Sequence, residues 1–355
     1  MRLLITGGAG FIGSAVVRQA VHAGHDVLNV DKLTYASNLE NVASVASSAS
    51  YRFAQADIRD GAQMLELTSG FRPDAIMHLA AESHVDRSID GPAEFIQTNV
   101  MGTFALLEAA RAYVASGAAP GAFRFHHVST DEVFGSLGAT GAFSETSPYQ
   151  PNSPYSASKA GSDMLARAWR ETYQLPVITS NCSNNYGPFQ FPEKLIPVVI
   201  MKARAGAPIP VYGEGLNVRD WLYVDDHADA LLTIVQRGQP GESYIVGGRS
   251  ESTNIELVTR LCDLLDERFP DAHKDGHASL ITHVADRPGH DERYAVDCSK
   301  IERELGWVPS VALGDGLERT IDWYLSNDVW IQNLKNRGIK VERLGLNTQN
   351  VKTTS

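Results

Sequence analysis

Leu3-Leu4-Ile5-Thr6-Gly7-Gly8-Ala9-Gly10-Phe11-Ile12-Gly13 joins a short apolar run to a cluster of glycines. The apolar run predicts a buried strand, and residues 11–23 have the apolar periodicity of a helix. Glycines between a strand and a helix permit a tight turn, a close approach of a pyrophosphate and close helix packing. The N-terminus of the helix offers free N–H groups to phosphates. This stretch therefore predicts a dinucleotide-binding turn.

Strand and helix patterns continue to alternate through the first half of the chain. Repeated strand-helix units of this length indicate a parallel sheet with helices on both faces, a Rossmann-type doubly wound α/β fold. Ligands of such sheets bind at the carboxyl ends of the strands. The further strands are predicted at residues 26–30, 51–56, 75–79, 123–129 and 177–180, and the further helices at 95–116 and 155–174.

The alternation breaks after Asn185, where prolines and glycines become frequent. We assign residues 1–185 to an NAD-binding domain, with a returning strand near residues 242–246. Residues 186–330 are assigned mainly to a smaller C-terminal lobe that binds a nucleotide sugar. The polar end, residues 340–355, has no periodicity and is predicted to be a frayed tail.

The composition excludes several classes of protein. A net charge of -11 without a long basic run argues against nucleic acid as a partner. No stretch reaches the ~18 apolar residues of a membrane helix, and the first strand begins too early to leave room for a signal peptide. The three cysteines form no CxxC pair and no zinc pattern. These features predict a cytoplasmic protein without a bound metal.

Acidic and small residues follow the later strands of the predicted sheet. Asp31 ends the second strand, where a carboxylate accepts hydrogen bonds from the adenine ribose and repels a 2′-phosphate, which favours NAD over NADP. Lys32 beside it weakens this preference. Asp57 is either a cofactor contact or a loop cap. The cofactor-binding set is predicted to be Gly7, Gly10, Phe11, Ile12, Gly13, Asp31, Lys32, Leu33, Thr34, Asp57, Ile58, Leu79, Ala80, Ala81, Ser83, Tyr155 and Lys159.

Tyr155 and Lys159 are four residues apart on a predicted helix and share one face of it. A free tyrosine has a pKa of about 10, and a nearby ammonium makes the phenolate a usable base for an alcohol proton. Thr130 ends the preceding strand and can donate to a substrate oxygen. The three residues predict alcohol oxidation by hydride transfer.

Two carboxylates, Asp131 and Glu132, directly follow Thr130. Simple alcohol oxidation does not need them. Once C4 of a hexose is a ketone, the C5 proton is acidified and one carboxylate can remove it, while a carboxylic acid protonates the departing C6 hydroxyl. This requires an acid and a base with separated pKa values. The pair therefore predicts a dehydratase.

At these residues the chain resembles the extended short-chain dehydrogenase/reductases, and among them the nucleotide-sugar 4,6-dehydratases. The resemblance covers Met1 to about Tyr324. Phe134 stands where the family usually has Tyr, and Ser37 where it often has Gly; we interpret both as changes in local packing. The motifs that carry the resemblance are residues 6–13, 31–36, 79–88, 130–133, 155–159, 181–187, 194–197 and 286–291.

The resemblance implies roles for individual residues. Tyr155 is the base for C4 oxidation, Glu132 removes the C5 proton and Asp131 protonates the C6 oxygen. Lys159 and Thr130 assist Tyr155. Thr98 and Asn185 join the cofactor contacts. The implied substrate contacts are Ser83, Thr130, Asn184, Lys194, Leu195, Pro210, Tyr212, Arg219, Asn254, Arg287 and His290.

The resemblance also implies that the chain is a lyase acting on dTDP-glucose with a permanently bound NAD. The product is dTDP-4-keto-6-deoxyglucose, which feeds deoxysugar biosynthesis, commonly of dTDP-L-rhamnose. The family forms homodimers through the helices predicted at residues 95–116 and 155–174.

Alternatives remain open from the residues alone. Arg219 and Arg287 are either ligands of a diphosphate or ordinary surface residues, and Tyr212 and Trp221 either stack on a base or pack in the core. A dehydratase for another nucleotide sugar shares the same chemistry. An NAD-dependent nucleotide-sugar epimerase needs Tyr155 without the two carboxylates, and a non-catalytic NAD-binding scaffold needs none of these residues.

Overall fold

The fold is built from short apolar strands and longer amphipathic helices. A computed structural model describes residues 1–270 and 272–337. The tail predicted at residues 340–355 lies outside the described residues. Within them there are twelve strands: β1 (Arg2–Thr6), β2 (Asp26–Asp31), β3 (Tyr51–Gln55), β4 (Ala75–His78), β5 (Arg124–Thr130), β6 (Val177–Cys182), β7 (Asn184–Tyr186), β8 (Ile209–Tyr212), β9 (Val218–Tyr223), β10 (Ser243–Val246), β11 (Glu251–Thr253) and β12 (Ile281–Val284).

Helices fill most of the connections between these strands. Among the described residues they are α1 (Phe11–His22), α2 (Gly61–Phe71), α3 (Val85–Asp90), α4 (Pro92–Phe95), α5 (Thr103–Ala115), α6 (Pro154–Tyr173), α7 (Leu195–Arg204), α8 (Val224–Arg237), α9 (Asn254–Arg268), α10 (Ser299–Leu305), α11 (Leu313–Ser326) and α12 (Asp328–Asn336). Short 3₁₀ turns cover Leu39–Val45, Asp131–Phe134 and His277–Leu280.

Seven strands form one parallel sheet in the order β10-β6-β5-β4-β1-β2-β3. The chain leaves β1 toward β2 on one side and reaches β4 on the other, so a crevice opens at the carboxyl end of β1. Helices α1 and α8 cover one face of the sheet, and α2, α5 and α6 cover the other. The predicted Rossmann-type fold is confirmed, including a strand near residues 242–246.

The long helix predicted at residues 95–116 differs in one respect. The segment is helical throughout, but Ile96–Gly102 forms a π-helical stretch between α4 and α5. A Cβ on Gly102 would lie 2.5 Å from the Ile58 side chain. The wide turn and the missing side chain together bring this helix against the loop that follows β3.

The second lobe contains two small sheets, β11-β9-β7 and β12-β8, with α7, α9, α11 and α12 around them. Its core includes Trp221, Leu257 and Ile321, all buried. The indole of Trp330 on α12 donates to Asn41 Oδ1 of the first lobe at 2.8 Å. The described residues contain no helix that is long and apolar enough to cross a membrane.

Candidate active site

The glycine turn after β1 is closely packed. Gly7 adopts φ +74°, and a Cβ on it would lie 2.7 Å from the backbone nitrogen of Ala80. A Cβ on Gly13 would lie 2.1 Å from the carbonyl oxygen of Gly7. Helix α1 begins immediately after Gly10, which has no side chain to cap it, so its first N–H groups face the crevice. The turn fits a pyrophosphate.

Asp31 at the end of β2 is buried and already oriented. Its Oδ2 accepts from the backbone N–H of Ala9 at 3.0 Å, and its Oδ1 accepts from that of Leu33 at 2.8 Å. The neighbouring Lys32 contacts the carboxylate of Asp57 at 2.9 Å. The positive charge that weakened the preference for NAD therefore has an acidic partner.

Asp57 has the hydrogen bond of a loop cap and also lies at the crevice. It lines the crevice, and its Oδ1 accepts from the backbone N–H of Arg59 at 3.0 Å, as a loop cap does. Burial opposes ionisation here, but hydrogen bonds from Arg59 and Lys32 outweigh it and lower the pKa of Asp57.

One cleft brings together most of the predicted cofactor and catalytic residues. In the described part of the chain it is lined by Gly7, Gly10, Phe11, Ile12, Gly13, Asp31, Lys32, Thr34, Asp57, Ile58, Leu79, Ala80, Ala81, Ser83, Thr98, Thr130, Asp131, Glu132, Tyr155, Lys159, Asn184, Asn185 and Lys194. Leu33 does not belong to this lining; its backbone adopts φ +60° in the turn that Asp31 holds.

Helix α6 carries the tyrosine and the lysine into this cleft. It begins with a capping box between Ser153 and Ser156 and with Pro154 in its first turn, a strong start signal. Tyr155 and Lys159 are both buried, and Lys159 Nζ donates to the carbonyl of Val128 at 2.8 Å. The predicted pair is therefore not an exposed surface pair.

The tyrosine does not have a low pKa in this state. Burial, followed by the charges of Glu132 and the neighbouring Cys182, raises the pKa of Tyr155 well above its ordinary value, and a hydrogen bond with Thr130 opposes this only in part. The simple expectation that the lysine ammonium makes the phenolate accessible is therefore incomplete. Further positive charge in the cleft is required.

Asp131 and Glu132 occupy different environments although they are adjacent. Asp131 is 1% exposed, its Oδ1 accepts from Thr130 Oγ1 at 3.3 Å, and its buried Oδ2 has no hydrogen-bond partner among the described residues. Burial, Glu132 and Asp220 raise the pKa of Asp131 well above its ordinary value.

Burial also raises the pKa of Glu132, but three cations oppose it: Arg287, Lys194 and Arg219. The cations therefore favour ionisation of Glu132, whereas burial and two neighbouring carboxylates disfavour ionisation of Asp131. Elimination uses one group as the base and the other as the acid, and this difference in surroundings suits it.

Three predicted substrate contacts of the second lobe are bonded to residues of the first lobe. Arg287 Nη1 donates to Asp86 Oδ1 at 3.2 Å, and Tyr212 donates from its hydroxyl to Asp86 Oδ2 at 3.0 Å. Lys194 Nζ donates to the carbonyl of Ser83 at 3.0 Å. These bonds join the second lobe to the segment around α3.

Arg219 and His290 are also held in place. Arg219 is 4% exposed, donates to the carbonyl of Asp291 at 2.9 Å and lies over the ring of Tyr294 at 4.3 Å. Burial and the charge of Arg287 lower the pKa of His290 to about 4, so it is neutral near pH 7. The alternative that Arg219 is a solvated surface residue is wrong.

The remaining predicted contacts lie at element ends and in small sheets. Asn184 pairs with Trp221 between β7 and β9, and Pro210 lies in β8 opposite Thr282. Leu195 begins α7 and Asn254 begins α9. Leu195, Pro210, Tyr212, Arg219, Asn254, Arg287 and His290 lie outside the lining of the cleft described above.

Two open questions concern packing. Trp221 belongs to the core of the second lobe, with its ring 6.3 Å from that of Tyr186, as the packing alternative expected. Phe134 stacks on Phe143 with ring centroids 5.2 Å apart. The interpretation of Phe134 as a local packing change is therefore supported.

Sequence reasoning missed three groups at the cleft. Cys182 at the end of β6 lines it, and burial raises the pKa of this thiol to about 12. Glu193 also lines it and accepts from Arg87 Nε at 3.1 Å. His227 bonds through Nδ1 to Asn185 Oδ1 at 2.8 Å. Cys182 follows a predicted strand, so its position at the carboxyl end was the available signal.

Comparison with known proteins gives consistent matches. The family model described as GDP-mannose 4,6 dehydratase matches residues 4–320, and the chain belongs to this family. Its curated relatives within the family are dTDP-glucose 4,6-dehydratases: that of Neisseria meningitidis serogroup B is 57% identical over 97% of this chain and 99% of its own length.

Solved structures agree with this placement. The dTDP-glucose 4,6-dehydratase of Streptomyces venezuelae, solved with NAD and dTDP bound, superposes with a TM-score of 0.86 at 47% identity, over 94% of this chain and all of the other. A UDP-glucose 4-epimerase of Thermotoga maritima, solved with UDP-glucose, reaches a TM-score of 0.80 at 29% identity, over 92% and 99% of the two chains. The fold is therefore shared with epimerases, whereas the sequence is closer to the dehydratases.

Proposed function

We propose that the protein is an NAD-dependent hydro-lyase that converts dTDP-glucose to dTDP-4-keto-6-deoxyglucose and water. The observation that carries this proposal is the placing of two carboxyl groups with different electrostatic surroundings beside Tyr155 and Lys159 in one cleft. The dTDP-glucose 4,6-dehydratases that resemble the chain over nearly its whole length support the choice of substrate. NAD is the cofactor, as in the related solved structures.

The first step is the oxidation of C4. Tyr155 accepts the proton of the C4 hydroxyl, Thr130 donates to the same oxygen, and Lys159 supplies positive charge. NAD, held by the glycine turn, Asp31 and Lys159, would supply the hydride acceptor for C4 and the hydride donor for C6, so that the net change is the loss of water. The positive charge of an oxidised nicotinamide would oppose the effect of burial, which raises the pKa of Tyr155.

Elimination then uses the two carboxylates. Glu132, whose ionised form is favoured by Arg287, Lys194 and Arg219, removes the proton from C5 and gives it back to C5 when the hydride is delivered to C6. Asp131, kept protonated by burial and by Glu132, gives its proton to the C6 oxygen, which leaves as water. An epimerase does not need Asp131 and Glu132, so the presence of these two carboxyl groups favours a dehydratase.

The second lobe is proposed to hold the nucleotide diphosphate. Arg219 is buried and Arg287 is half-buried, with 18% of its side chain exposed. Both act on Glu132, and guanidinium groups bind phosphate in a bidentate way. Residues 1–185 together with 242–246 are proposed to bind NAD, and residues 186–330 mainly to bind the nucleotide sugar. Lys194, Tyr212, Asn254 and His290 are proposed substrate contacts.

A homodimer is proposed to form through the segment before and including α5 and through α6. Met101, Phe104, Met164 and Tyr173 expose large apolar side chains on these elements. Such a patch is typical of a protein interface. A cytoplasmic setting is proposed because all three cysteines are free and buried; the place of the product in dTDP-L-rhamnose synthesis rests on resemblance alone.

Product analysis tests the reaction and the substrate together. The purified protein is incubated without added NAD with dTDP-glucose, UDP-glucose, CDP-glucose or GDP-mannose, and the products are measured by mass spectrometry. We expect loss of one water from the dTDP sugar alone. An unchanged mass with an altered sugar configuration would establish an epimerase, and no reaction even with added NAD would indicate a scaffold.

Glu132→Gln separates the two steps of the proposed mechanism. Because the amide cannot remove the C5 proton, we expect slow C4 oxidation, seen as absorbance of the reduced nicotinamide, without a dehydrated product. Glu302→Gln changes an exposed carboxylate paired with Arg249 and should behave as the wild type. Normal product formation by Glu132→Gln would refute the proposed role of this residue.

A further inference from the structure

A buried carboxylate outside the residues assigned above lies beneath the reactive centre. Asp163 follows Lys159 by one turn of α6 and is 3% exposed. It accepts hydrogen bonds from four donors on three other parts of the chain: His127 Nε2 at 2.9 Å, Ser129 Oγ at 2.8 Å, Tyr149 OH at 2.9 Å and Asn181 Nδ2 at 3.3 Å.

The donors contact both oxygens of Asp163: His127 contacts Oδ1, and Ser129, Tyr149 and Asn181 contact Oδ2. A carboxylate only accepts, so the ring of His127 carries its proton on Nε2. Burial keeps the pKa of His127 below its ordinary value, although Asp163 opposes this, so the ring is a neutral donor. The four donors satisfy both oxygens of this buried carboxylate in a region of low dielectric constant.

Lys159 is the cation that this charge faces. Burial lowers the pKa of Lys159, and the charge of Asp163 is the largest influence that raises it. The other titratable groups around the ammonium are Tyr155 on the same helix and those contributed by three strands of the sheet: His78 on β4, His127 on β5 and Cys182 on β6.

None of these other groups supplies a negative charge near pH 7. Burial raises the pKa of Tyr155 and that of Cys182, and it lowers those of His78 and His127, so all four are neutral. Among the described residues that face Lys159, Asp163 is therefore the group that offsets the cost of burying the ammonium.

The same carboxylate reaches Thr130 through one intermediate side chain. Asn181 Nδ2 donates to the carbonyl of Thr130 at 3.0 Å and to Asp163 Oδ2 at 3.3 Å. Ser129, the preceding residue of β5, bonds to Asp163 directly. Asp163 thus connects α6 to the carboxyl ends of β5 and β6.

We propose that Asp163 is a positioning residue for the oxidation step: its buried carboxylate keeps Lys159 in the ammonium form and fixes the end of β5 that presents Thr130. The proposal rests on the proposed function, since it assumes that Lys159 and Thr130 act with Tyr155. Asp163 itself does not belong to the lining of the cleft.

Asp163→Asn, in the full-length protein with its bound NAD, tests the charge while preserving shape. Without the negative charge, burial lowers the pKa of Lys159 further, so the ammonium is lost at a lower pH. We expect the alkaline limb of the kcat profile to move down by about one pH unit or more, with kcat lowered about 10-fold or more and KM for dTDP-glucose nearly unchanged.

Two variants distinguish the charge from the hydrogen bonds. Tyr149→Phe removes one donor to Asp163 and keeps the carboxylate. The alkaline limb of its kcat profile should therefore lie at the same pH as that of the wild type. Asp163→Glu keeps the charge, so the alkaline limb of its kcat profile should also lie at the pH of the wild type. The value of kcat can still fall, because the longer side chain is crowded. NAD content and circular dichroism report whether each variant is folded.

If folded Asp163→Asn has the same alkaline limb in its kcat–pH profile as the wild type, the proposal is overturned and Asp163 is a structural residue. An equal shift in Tyr149→Phe would overturn it as well. If Asp163→Asn does not fold, Asp163→Ser removes the charge with a smaller side chain. The alkaline limb of its kcat–pH profile is then compared with that of the wild type. Failure of the wild type itself to dehydrate dTDP-glucose would instead refute the proposed function.

Discussion

The two halves of the proposed site are built differently. The cofactor half, around the glycine turn of the cleft, consists mainly of backbone and small residues. The substrate half, which includes residues outside the lining of the cleft, consists of charged and polar side chains bonded to one another. On the cofactor side, Gly7 and Gly13 leave no room for a Cβ, and Asp31 is held by two backbone N–H groups. On the substrate side, Arg287 and Tyr212 both bond to Asp86. The first half is preformed by the fold, and the second depends on partners that a ligand can replace.

The difference has an energetic reason. Backbone groups at a helix N-terminus have fixed positions, so binding a phosphate there costs little reorganisation. A buried arginine needs an acceptor at all times, because an unpaired buried charge is costly. Asp86, 4% exposed, provides that acceptor in the structure described here. We expect the two halves to respond differently to substitution.

The largest effect is expected in the cofactor half. Gly13→Ala would place a Cβ 2.1 Å from the Gly7 carbonyl oxygen, so the turn must open. We expect loss of the co-purifying NAD, measured by its absorbance after denaturation, and activity lower by about 100-fold or more, as for a displacement of ~1 Å.

Gly70→Ala is the matched control, since nothing lies within 4 Å of the added methyl in α2. It should keep its NAD and gain roughly 0.5–1 kcal/mol of helix stability. Retention of NAD by Gly13→Ala would contradict the proposed dependence of the cofactor half on the glycine turn, because the backbone of the turn would then not be essential.

An intermediate effect is expected in the substrate half. Arg287→Ala removes a proposed diphosphate ligand, so KM for dTDP-glucose should rise by about 10- to 100-fold, which corresponds to the loss of one or two charged hydrogen bonds. NAD content should not change. Steady-state kinetics and the same absorbance measurement check both expectations.

Arg204→Ala serves as the control for Arg287, because Arg204 is an exposed residue paired with Asp328 on α12. It should leave KM unchanged, as surface ion pairs contribute little. Loss of NAD from Arg287→Ala with an unchanged KM would show that the two halves are not independent.

The smallest effect concerns stability and pH. The pKa of Asp131 is raised in the folded state, mainly by burial, so the folded protein binds a proton that the unfolded chain releases. The stability that this proton provides is complete below the unfolded pKa of about 3.9 and is lost as the pH rises toward the folded pKa.

Asp131→Asn does not titrate, so its Tm should exceed that of the wild type by a widening margin above about pH 4, reaching a few degrees near pH 8. Thermal unfolding across this range measures the margin. Asp90→Asn, at an exposed position, should show no such trend. If the difference in Tm between Asp131→Asn and the wild type is the same at every pH, Asp131 is ionised in the folded protein.

The extent of prediction from sequence differs between the two lobes. In the first lobe, apolar runs such as residues 3–6 and 75–79 predicted the strands, because both faces of a parallel sheet are buried. In the second lobe, β8, β9, β11 and β12 were not predicted. They are three to six residues long and pair with partners from distant parts of the chain, so local periodicity carries little information about them.

The site divides in the same way. Thr130, Asp131 and Glu132 are contiguous, and Tyr155 and Lys159 share one helical face, so their chemistry was visible in the sequence. Arg219 and Arg287 were assigned only through a family resemblance, since isolated arginines are ordinary on a surface. Asp163 was missed, although its spacing of four from Lys159 was an available signal.

The sequence by itself determined the dinucleotide turn, the preference for NAD and the residue types of the reactive centre, because each depends on neighbours within one strand, turn or helix. Only the tertiary structure shows why the electrostatic surroundings of the two adjacent carboxyl groups differ. Arg287, Lys194 and Arg219 reach Glu132 from distant segments, whereas Asp131 is enclosed with Asp220 nearby. A pKa depends on the charges and the burial around a group, and these are fixed only when the two lobes pack together.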